Sequence, residues 1–190
     1  MTLCEKIVIE NKVVELINGN IAEQDTEAVV NAANTSLLGG GGVDGAIHRA
    51  AGPELLEYCK TLGGCRTGEA KITPGFNLKS KYIIHTVGPV YRDGKHGEAE
   101  LLARCYQNSL ELAVKEKIKS LSFPSISTGA YRYPFQEASE IALQTVLDFL
   151  KSHPYPELVR FVLFGEEGFN IYKKTLSGLC KVKNWLRSNL

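Results

Sequence analysis

Four consecutive glycines, Gly39–Gly42, constrain the fold of this 190-residue chain more than any other feature. They follow an apolar run, Ala28–Val30, and precede a small-residue segment with helical spacing that opens on Val43 and Asp44. Glycine loses more backbone entropy on folding than any other residue, and the usual reason for keeping it is close approach of the backbone to a ligand. Because a helix starts here, N–H groups and the positive end of the helix dipole favour a phosphate or diphosphate.

Strand-length apolar runs and helical segments alternate along the rest of the chain. The runs are Lys6–Glu10, Val13–Ile17, Ala28–Val30, Tyr82–Val87, Leu121–Ile126 and Leu158–Phe164. Helical spacing is found in Ala46–Ala51, Pro53–Cys59, Leu101–Ala113 and Pro134–Ser152. The alternation predicts an α/β fold, a three-layer α/β/α domain with a mixed, mainly parallel central sheet. Since no linker or repeat interrupts the pattern, residues 1–190 are expected to form a single domain.

Composition excludes several classes of protein. Lys and Arg total 22 against 21 Asp and Glu, and the net charge of +1 gives no basic footprint for long nucleic acid. The five cysteines form no C-x-x-C pair, which favours reduced thiols over disulfides or a zinc knuckle. The opening residues do not resemble a secretory leader and no run is apolar enough to span a bilayer, so we expect a cytoplasmic protein without a membrane partner.

Two known nucleotide-binding motifs are alternative explanations of the glycine run. Gly40, Gly42 and Gly45 satisfy G-x-G-x-x-G, the fingerprint of dinucleotide-binding oxidoreductases. In that fingerprint, however, the glycines follow the strand directly, whereas here the eight residues Asn31–Leu38 intervene. The residues after Gly52 also favour a helix rather than a second strand, and no G-K-[ST] follows to make a P-loop. Both motifs are disfavoured.

Several ordered motifs together carry a resemblance to a known family. Asn31–His48 matches N-A-A-N-x-x-L-x-G-G-G-G-V-D-G-A-I-H without a gap, and the match continues through Gly63–Ala70, Ile84–Tyr91 and Ser125–Gly129. The chain resembles the macrodomain family over roughly its whole length, and within that family the MacroD-type ADP-ribosyl hydrolases. The resemblance implies a single macrodomain that binds ADP-ribose in a cleft between two loops.

The resemblance also implies which residues bind the ligand. The first loop supplies Gly40, Gly41, Gly42 and Val43, the second supplies Ser127, Thr128, Gly129, Ala130 and Tyr131, and the adenine end is formed by Asn20, Ile21 and Phe164. Tyr131 would lie over the distal ribose, although Tyr131 and Tyr133 could instead simply pack the loop. Asn20 stands where the family usually has Asp, and Ala130 and Arg132 stand where a larger aliphatic residue and a glycine are commoner.

Asp44 is the candidate catalytic residue. In the first turn of a glycine-led helix, its carboxylate is expected to stay charged and to hold and polarise a water. The resemblance adds Asn34, which would bond a hydroxyl of the distal ribose, and leaves Asn31 a structural role. His48 lies four residues after Asp44 and could support the site, but a helical His between apolar neighbours is more often a packed core residue, and the same holds for His85.

The implied reaction is hydrolysis without a cofactor. It would remove mono-ADP-ribose from acidic residues of proteins and deacetylate O-acetyl-ADP-ribose. The zinc-dependent branch of the family has Cys and His in the glycine loop, and this chain has only glycines there, so no metal is expected. Two alternatives stay open, a non-catalytic ADP-ribose reader and an ADP-ribose-1″-phosphate phosphatase.

Overall fold

One mixed sheet of seven strands forms the centre of the protein, as seen in a computed structural model that describes residues 4–183. The strands are β1 (Cys4–Ile9), β2 (Lys12–Asn18), β3 (Ala28–Ala33), β4 (Ala70–Pro74), β5 (Tyr82–Val87), β6 (Ser120–Phe123) and β7 (Leu158–Leu163). Their order across the sheet is β1-β2-β7-β6-β3-β5-β4. The edge strands β1 and β4 run antiparallel to their neighbours, and the five inner strands are parallel. The prediction of a mixed, mainly parallel sheet is confirmed.

Helices cover both faces of this sheet. They are α1 (Gly42–Ala51), α2 (Pro53–Lys60), α3 (Glu98–Lys115), α4 (Phe135–Leu150) and α5 (Glu166–Lys183), with a short 3₁₀ helix at Ile21–Glu23. Because successive strand side chains point to opposite faces, the sheet contributes to two apolar cores. One core joins it to α3, α4 and α5, and the other joins it to α1 and α2. The result is the expected three-layer α/β/α architecture.

The differences from the expected elements have local causes. The sixth strand ends at Phe123 rather than Ile126, because Pro124 has no N–H to continue the ladder. Strand β4 was not anticipated, since a short edge strand needs no apolar run, and only one of its five residues is buried. Helix α5 was also missed, although its buried residues recur at helical spacing: Phe169, Tyr172, Leu176 and Cys180.

Cys59, Cys65 and Cys105 are buried free thiols, and burial raises the pKa of Cys59 and of Cys105 to about 11. Such thiols are protonated near neutral pH and therefore poor nucleophiles.

Within residues 4–183, no helix combines the length and the apolar character needed to cross a membrane.

Candidate active site

The sequence motifs meet at one edge of the sheet. The inner strands are parallel, so their carboxyl ends lie side by side in the order β2, β7, β6, β3 and β5. The segment around Asn20 follows β2, Phe164 follows β7, and the two loops follow β6 and β3. Neighbouring strands are about 4.8 Å apart, so the span from β2 to β5 is about 19 Å. A ligand that contacts all of these segments must be elongated and must lie across the strand ends.

A cavity of about 290 Å³ occupies the β6, β3 and β5 part of this edge. Its walls are Ala32, Ala33, Asn34, Gly40, Gly41, Gly42, Val43, Asp44, Gly88, Ser125, Ile126, Ser127, Gly129, Ala130 and Tyr131. The structure thus brings both catalytic candidates and most of the ligand-binding candidates together around one space. Thr128, Asn20, Ile21 and Phe164 lie outside its lining.

The glycine run forms one wall because its backbone takes conformations that other residues avoid. Gly39 has φ 90° and Gly42 has φ 57°, both in the left-handed region. Gly45, one turn into α1, has the carbonyl oxygen of Gly40 only 2.6 Å from where a Cβ would be. No side chain caps the start of α1 at Gly41. The helix therefore presents its first N–H groups to the cavity, as an anion site requires.

The second loop forms the opposite wall and is closed by its own hydrogen bonds. Ser127 takes φ 66° and its carbonyl accepts from the Tyr133 N–H at 2.9 Å. Thr128 donates its hydroxyl to the Ser125 carbonyl at 2.9 Å, so its side chain shapes the loop rather than lining the cavity. Ser127 Oγ packs directly on Gly88, where any Cβ would collide with it. The Ser127 hydroxyl is therefore held at the cavity wall.

The two tyrosines of this loop differ in role. Tyr131 lines the cavity, and its carbonyl accepts from the Tyr91 N–H at 2.9 Å. Tyr133 is buried and packs on the Tyr91 ring with 4.9 Å between centroids, so it is a packing residue. Arg132, between them, is exposed with φ 59°. This left-handed backbone explains why glycine is the commoner residue at that position.

Asp44 is buried at the inner end of the glycine wall, with 5% of its surface exposed. Asn31 donates Nδ2–H to Asp44 Oδ1 at 2.8 Å. Burial raises the pKa of Asp44 above its ordinary value, against the opposing effects of the Asn31 hydrogen bond and of His48. Desolvation is therefore the largest effect on this carboxylate, and it opposes the stabilisation of the charged form that is expected at a helix start. Asp44 is consequently a stronger proton acceptor than an exposed aspartate.

Asn34 lines the cavity but also holds its own loop together. Its Nδ2 donates to the Gly39 carbonyl at 2.9 Å, and its Oδ1 accepts from the Ser36 hydroxyl at 2.6 Å and the Leu37 N–H at 3.1 Å. One N–H of the amide remains for a ligand, since a side-chain amide has two. Asn34 is thus placed to act as a hydrogen-bond donor.

Two polar side chains of the Asn31–His48 motif lie around the Asp44 carboxylate. The Nε2 atom of His48 lies 3.4 Å from Asp44 Oδ1, although not in hydrogen-bonding geometry, and 14% of the His48 side chain is exposed. It is therefore a neighbour of the candidate catalytic carboxylate, as the spacing of four residues predicts. Asn31 is structural in the sense that it is fully buried, but it contacts Asp44 directly. Both residues lie next to Asp44.

The residues predicted for the adenine end lie beside one another, in the segments that follow β2 and β7. Asn20 accepts the Ala22 N–H at 3.0 Å and donates to Glu23 Oε1 at 3.1 Å, so its amide caps the 3₁₀ helix. The side chain of Ile21 is buried in the core, which leaves only its backbone for a ligand. Phe164 is 90% exposed. An exposed aromatic face at a strand end is available for stacking.

Buried polar atoms without a hydrogen-bond partner also lie at this cavity or beside Asp44. Among the residues that the structure describes, three buried side-chain atoms have no hydrogen-bond partner: Asn31 Oδ1, His48 Nε2 and Ser127 Oγ. Ser127 lines the cavity, and the other two residues contact Asp44. A buried polar atom without a partner costs stability, and such atoms concentrate where a ligand completes the hydrogen bonding.

His85 makes the stability of the protein depend on pH. Burial lowers its pKa to about 3, from 6.5 when exposed. Between pH 6.5 and pH 3 the unfolded chain binds a proton that the folded protein does not. This contribution to stability is thus present above pH 6.5 and is lost as pH falls, by up to about 1.4 kcal/mol per pH unit. Urea unfolding at several pH values measures it, and His85→Asn should show a weaker pH dependence. An unchanged dependence in that variant would contradict the assignment to His85.

The fold and the cavity define the class of protein. The model of the Macro domain family matches residues 30–142 of this chain. The chain belongs to the macrodomain family, and the resemblance inferred from the motifs is confirmed.

Individual relatives extend this match over most of the chain. The O-acetyl-ADP-ribose deacetylase of Salmonella newport is 52% identical over 167 residues, which cover 86% of this chain and 93% of the relative. Among solved structures, the Oceanobacillus iheyensis macrodomain with ADP has a TM-score of 0.93 and 48% identity, covering 96% of this chain and 99% of that one. The Trypanosoma brucei macrodomain in complex with ADP-ribose has a TM-score of 0.81 and 43% identity, covering 86% of this chain and 68% of that one.

Proposed function

We propose that this protein binds ADP-ribose across the strand ends and hydrolyses ester bonds to its distal ribose. Its substrates would be O-acetyl-ADP-ribose and proteins that carry mono-ADP-ribose on Asp or Glu, as in the MacroD-type hydrolases that it resembles. The diphosphate would lie between the glycine wall and the Ser127–Tyr133 loop, with adenine on Phe164. The relative named O-acetyl-ADP-ribose deacetylase and the solved complex with ADP-ribose support this proposal.

The observation that carries the catalytic part is the buried carboxylate of Asp44 at the wall of an anion-binding cavity. A site built only to bind a diphosphate gains nothing from a nearby negative charge, because like charges repel. A carboxylate with a raised pKa is instead well suited to accept a proton from water. This favours an enzyme over a reader that only binds ADP-ribose.

The reaction needs only water and this proton acceptor. Asp44 takes a proton from the water whose oxygen adds to C1″ of the distal ribose. The bond between C1″ and the ester oxygen breaks, and the carboxylate of the modified Asp or Glu leaves with the electron pair. Asn34 would hold a ribose hydroxyl through its remaining N–H. With O-acetyl-ADP-ribose, where the acetyl group is an ester of a ribose hydroxyl, the water adds instead to the acetyl carbonyl carbon. The bond from that carbon to the ribose oxygen breaks, the ribose oxygen takes the proton from Asp44, and the products are acetate and ADP-ribose.

Product analysis tests the proposal directly. The purified protein is incubated with O-acetyl-ADP-ribose, with a protein mono-ADP-ribosylated on acidic residues, and with ADP-ribose-1″-phosphate. Release of free ADP-ribose from the first two is expected. Binding of ADP-ribose without turnover of any substrate would indicate a reader, and turnover of the phosphate alone would indicate a phosphatase.

Phe164→Ala is expected to weaken ADP-ribose binding through loss of adenine stacking. Removal of a base-stacking ring costs about 1–3 kcal/mol, which corresponds to a dissociation constant roughly 5 to 150 times larger. Because the ring is 90% exposed, the variant should unfold at nearly the parental temperature. Calorimetric titration measures the affinity. Phe164→Tyr keeps an aromatic face and serves as the matched control, which should bind as the parent does. Equal affinities for all three proteins would mean that adenine lies elsewhere.

A further inference from the structure

Two polar side chains interrupt an otherwise apolar face of the sheet. On the face toward α1 and α2, β3 presents Val29, Asn31 and Ala33, and β5 presents Ile83, His85 and Val87. Asn31 and His85 are register partners, and both are fully buried. Replacing both partners of a buried hydrogen bond by apolar groups of the same shape is often nearly neutral for stability, so stability alone does not require a polar pair at these positions. The presence of this pair therefore calls for a function.

The hydrogen bonds of the pair run outward from Asn31, one to Asp44 and the others through His85 to the backbone of β4. Asn31 uses both Nδ2 hydrogens, one for Asp44 Oδ1 at 2.8 Å and one for His85 Nδ1 at 3.1 Å. Since Nδ1 accepts, the neutral His85 ring carries its proton on Nε2 and donates it to Thr73 Oγ1 at 3.0 Å. The Thr73 hydroxyl donates in turn to the Pro74 carbonyl at 3.0 Å. Every donor in this series of hydrogen bonds has an acceptor, so the side chains of Asn31, His85 and Thr73 are fixed in orientation.

We infer that His85, acting through Asn31, is a positioning residue that fixes the orientation of the Asp44 carboxylate for hydrolysis. This inference rests on the proposed function. The neutral ring presents an acceptor that fixes the Asn31 amide plane, and the amide fixes one carboxylate oxygen. Asp44 Oδ2 lies toward Gly40 at the cavity wall, where a Cβ on Gly40 would be 3.1 Å from it. Asn31 thereby holds Oδ1 of the carboxylate, and Oδ2 faces the cavity.

The inference predicts a second property, the acidity of Asp44. The ionisable groups around this carboxylate are His48 on α1, Cys59 on α2 and His85 on β5. Among the contacts of Asp44, the Asn31 hydrogen bond is the largest influence that lowers its pKa against the effect of burial. Removing the Asn31 donor should therefore move the pKa of Asp44 further upward.

Kinetics of variants test the positioning role. Asn31→Leu and His85→Leu are expected to lower kcat for O-acetyl-ADP-ribose by roughly 10- to 100-fold, because small displacements of a catalytic group have effects of this size. The affinity for ADP-ribose should stay close to the parental value. His85→Asn places an acceptor oxygen near the former Nδ1 and should restore most of the lost turnover. Parental kcat in both Leu variants would overturn the inference.

A measurement without substrate separates this inference from the proposed function. Carbon-13 NMR of the Asp carboxyl groups follows the titration of Asp44 in the parent, in Asn31→Leu and in Val29→Ala, which removes an apolar neighbour on the same strand face. The pKa of Asp44 should rise in Asn31→Leu and stay unchanged in Val29→Ala. In a pH–rate profile, the loss of activity on the acidic side should move to higher pH in Asn31→Leu and stay unchanged in Val29→Ala. If Asn31→Leu does not fold, His85→Leu replaces it, since loss of the acceptor frees the Asn31 amide to turn.

An unchanged Asp44 pKa in the Leu variants would overturn the inference even if the parent is an active hydrolase. A parent that hydrolyses no ester would instead refute the proposed function, and the NMR titration would still report whether Asn31 and His85 control Asp44.

Discussion

Asp44→Ala is expected to lower the turnover of an ester-linked ADP-ribosyl substrate by about 10²–10⁴-fold, the usual contribution of a positioned proton acceptor. The buried carboxylate is held by Asn31 and has a raised pKa, so its removal takes away the group best suited to accept a proton from water. Affinity for ADP-ribose should change far less, and loss of a negative charge beside the diphosphate could even increase it. Single-turnover release of ADP-ribose and a binding titration measure the two effects on the same protein.

Two controls make this result interpretable. Asp44→Asn keeps the size of the side chain but not the proton acceptor, so it should be as inactive as Asp44→Ala. Circular dichroism shows whether each variant is folded. If the folded Asp44→Ala protein hydrolyses at the parental rate, another residue or the substrate itself holds the attacking water.

Gly45→Ala is expected to damage both the fold and the ligand site. A Cβ at this position would lie 2.6 Å from the Gly40 carbonyl oxygen, so the glycine wall or helix α1 must shift. Overpacking of this kind costs about 1–3 kcal/mol, more than the roughly 1 kcal/mol that Ala gains over Gly within a helix. ADP-ribose binding should fall as well, because Gly40 is displaced from the cavity wall. Urea unfolding and calorimetric titration measure these effects.

Gly178→Ala is the matched control, because Gly178 also lies within a helix and a Cβ there meets nothing within 4 Å. This variant should be slightly more stable than the parent and should bind ADP-ribose equally well. If Gly45→Ala behaves in the same way, the close packing of α1 against Gly40 does not matter for the site.

Much of the site could be predicted because its residues are adjacent in sequence. The segment from Asn31 to His48 contains one whole wall of the cavity, and its glycines and Asp44 carry a local signal. The strands near it were also predictable, since buried parallel strands are continuous apolar runs. Edge strand β4 carries no such signal, because an exposed edge needs none.

The contact between Asn31 and His85, behind Asp44, could not be predicted from the sequence. Asn31 and His85 are 54 residues apart along the chain, and only the register of β3 with β5 makes them neighbours. The pKa of Asp44 was likewise beyond reach. The helix start is visible in the sequence, but the burial that outweighs it depends on how α1 packs on the sheet. Strand pairing thus decides the first property, and the packing of a helix on the sheet decides the second.

The arrangement of the cleft along five parallel strand ends has a consequence for folding. Its walls come from segments as far apart as Asn20 and Phe164, and β3 reaches the second wall through its pairing with β6, about 90 residues later in the chain. No fragment that lacks one of the inner strands contains the whole cleft. A ligand that spans the cleft therefore binds only the fully assembled sheet, and by mass action it stabilises the complete native state rather than a single loop.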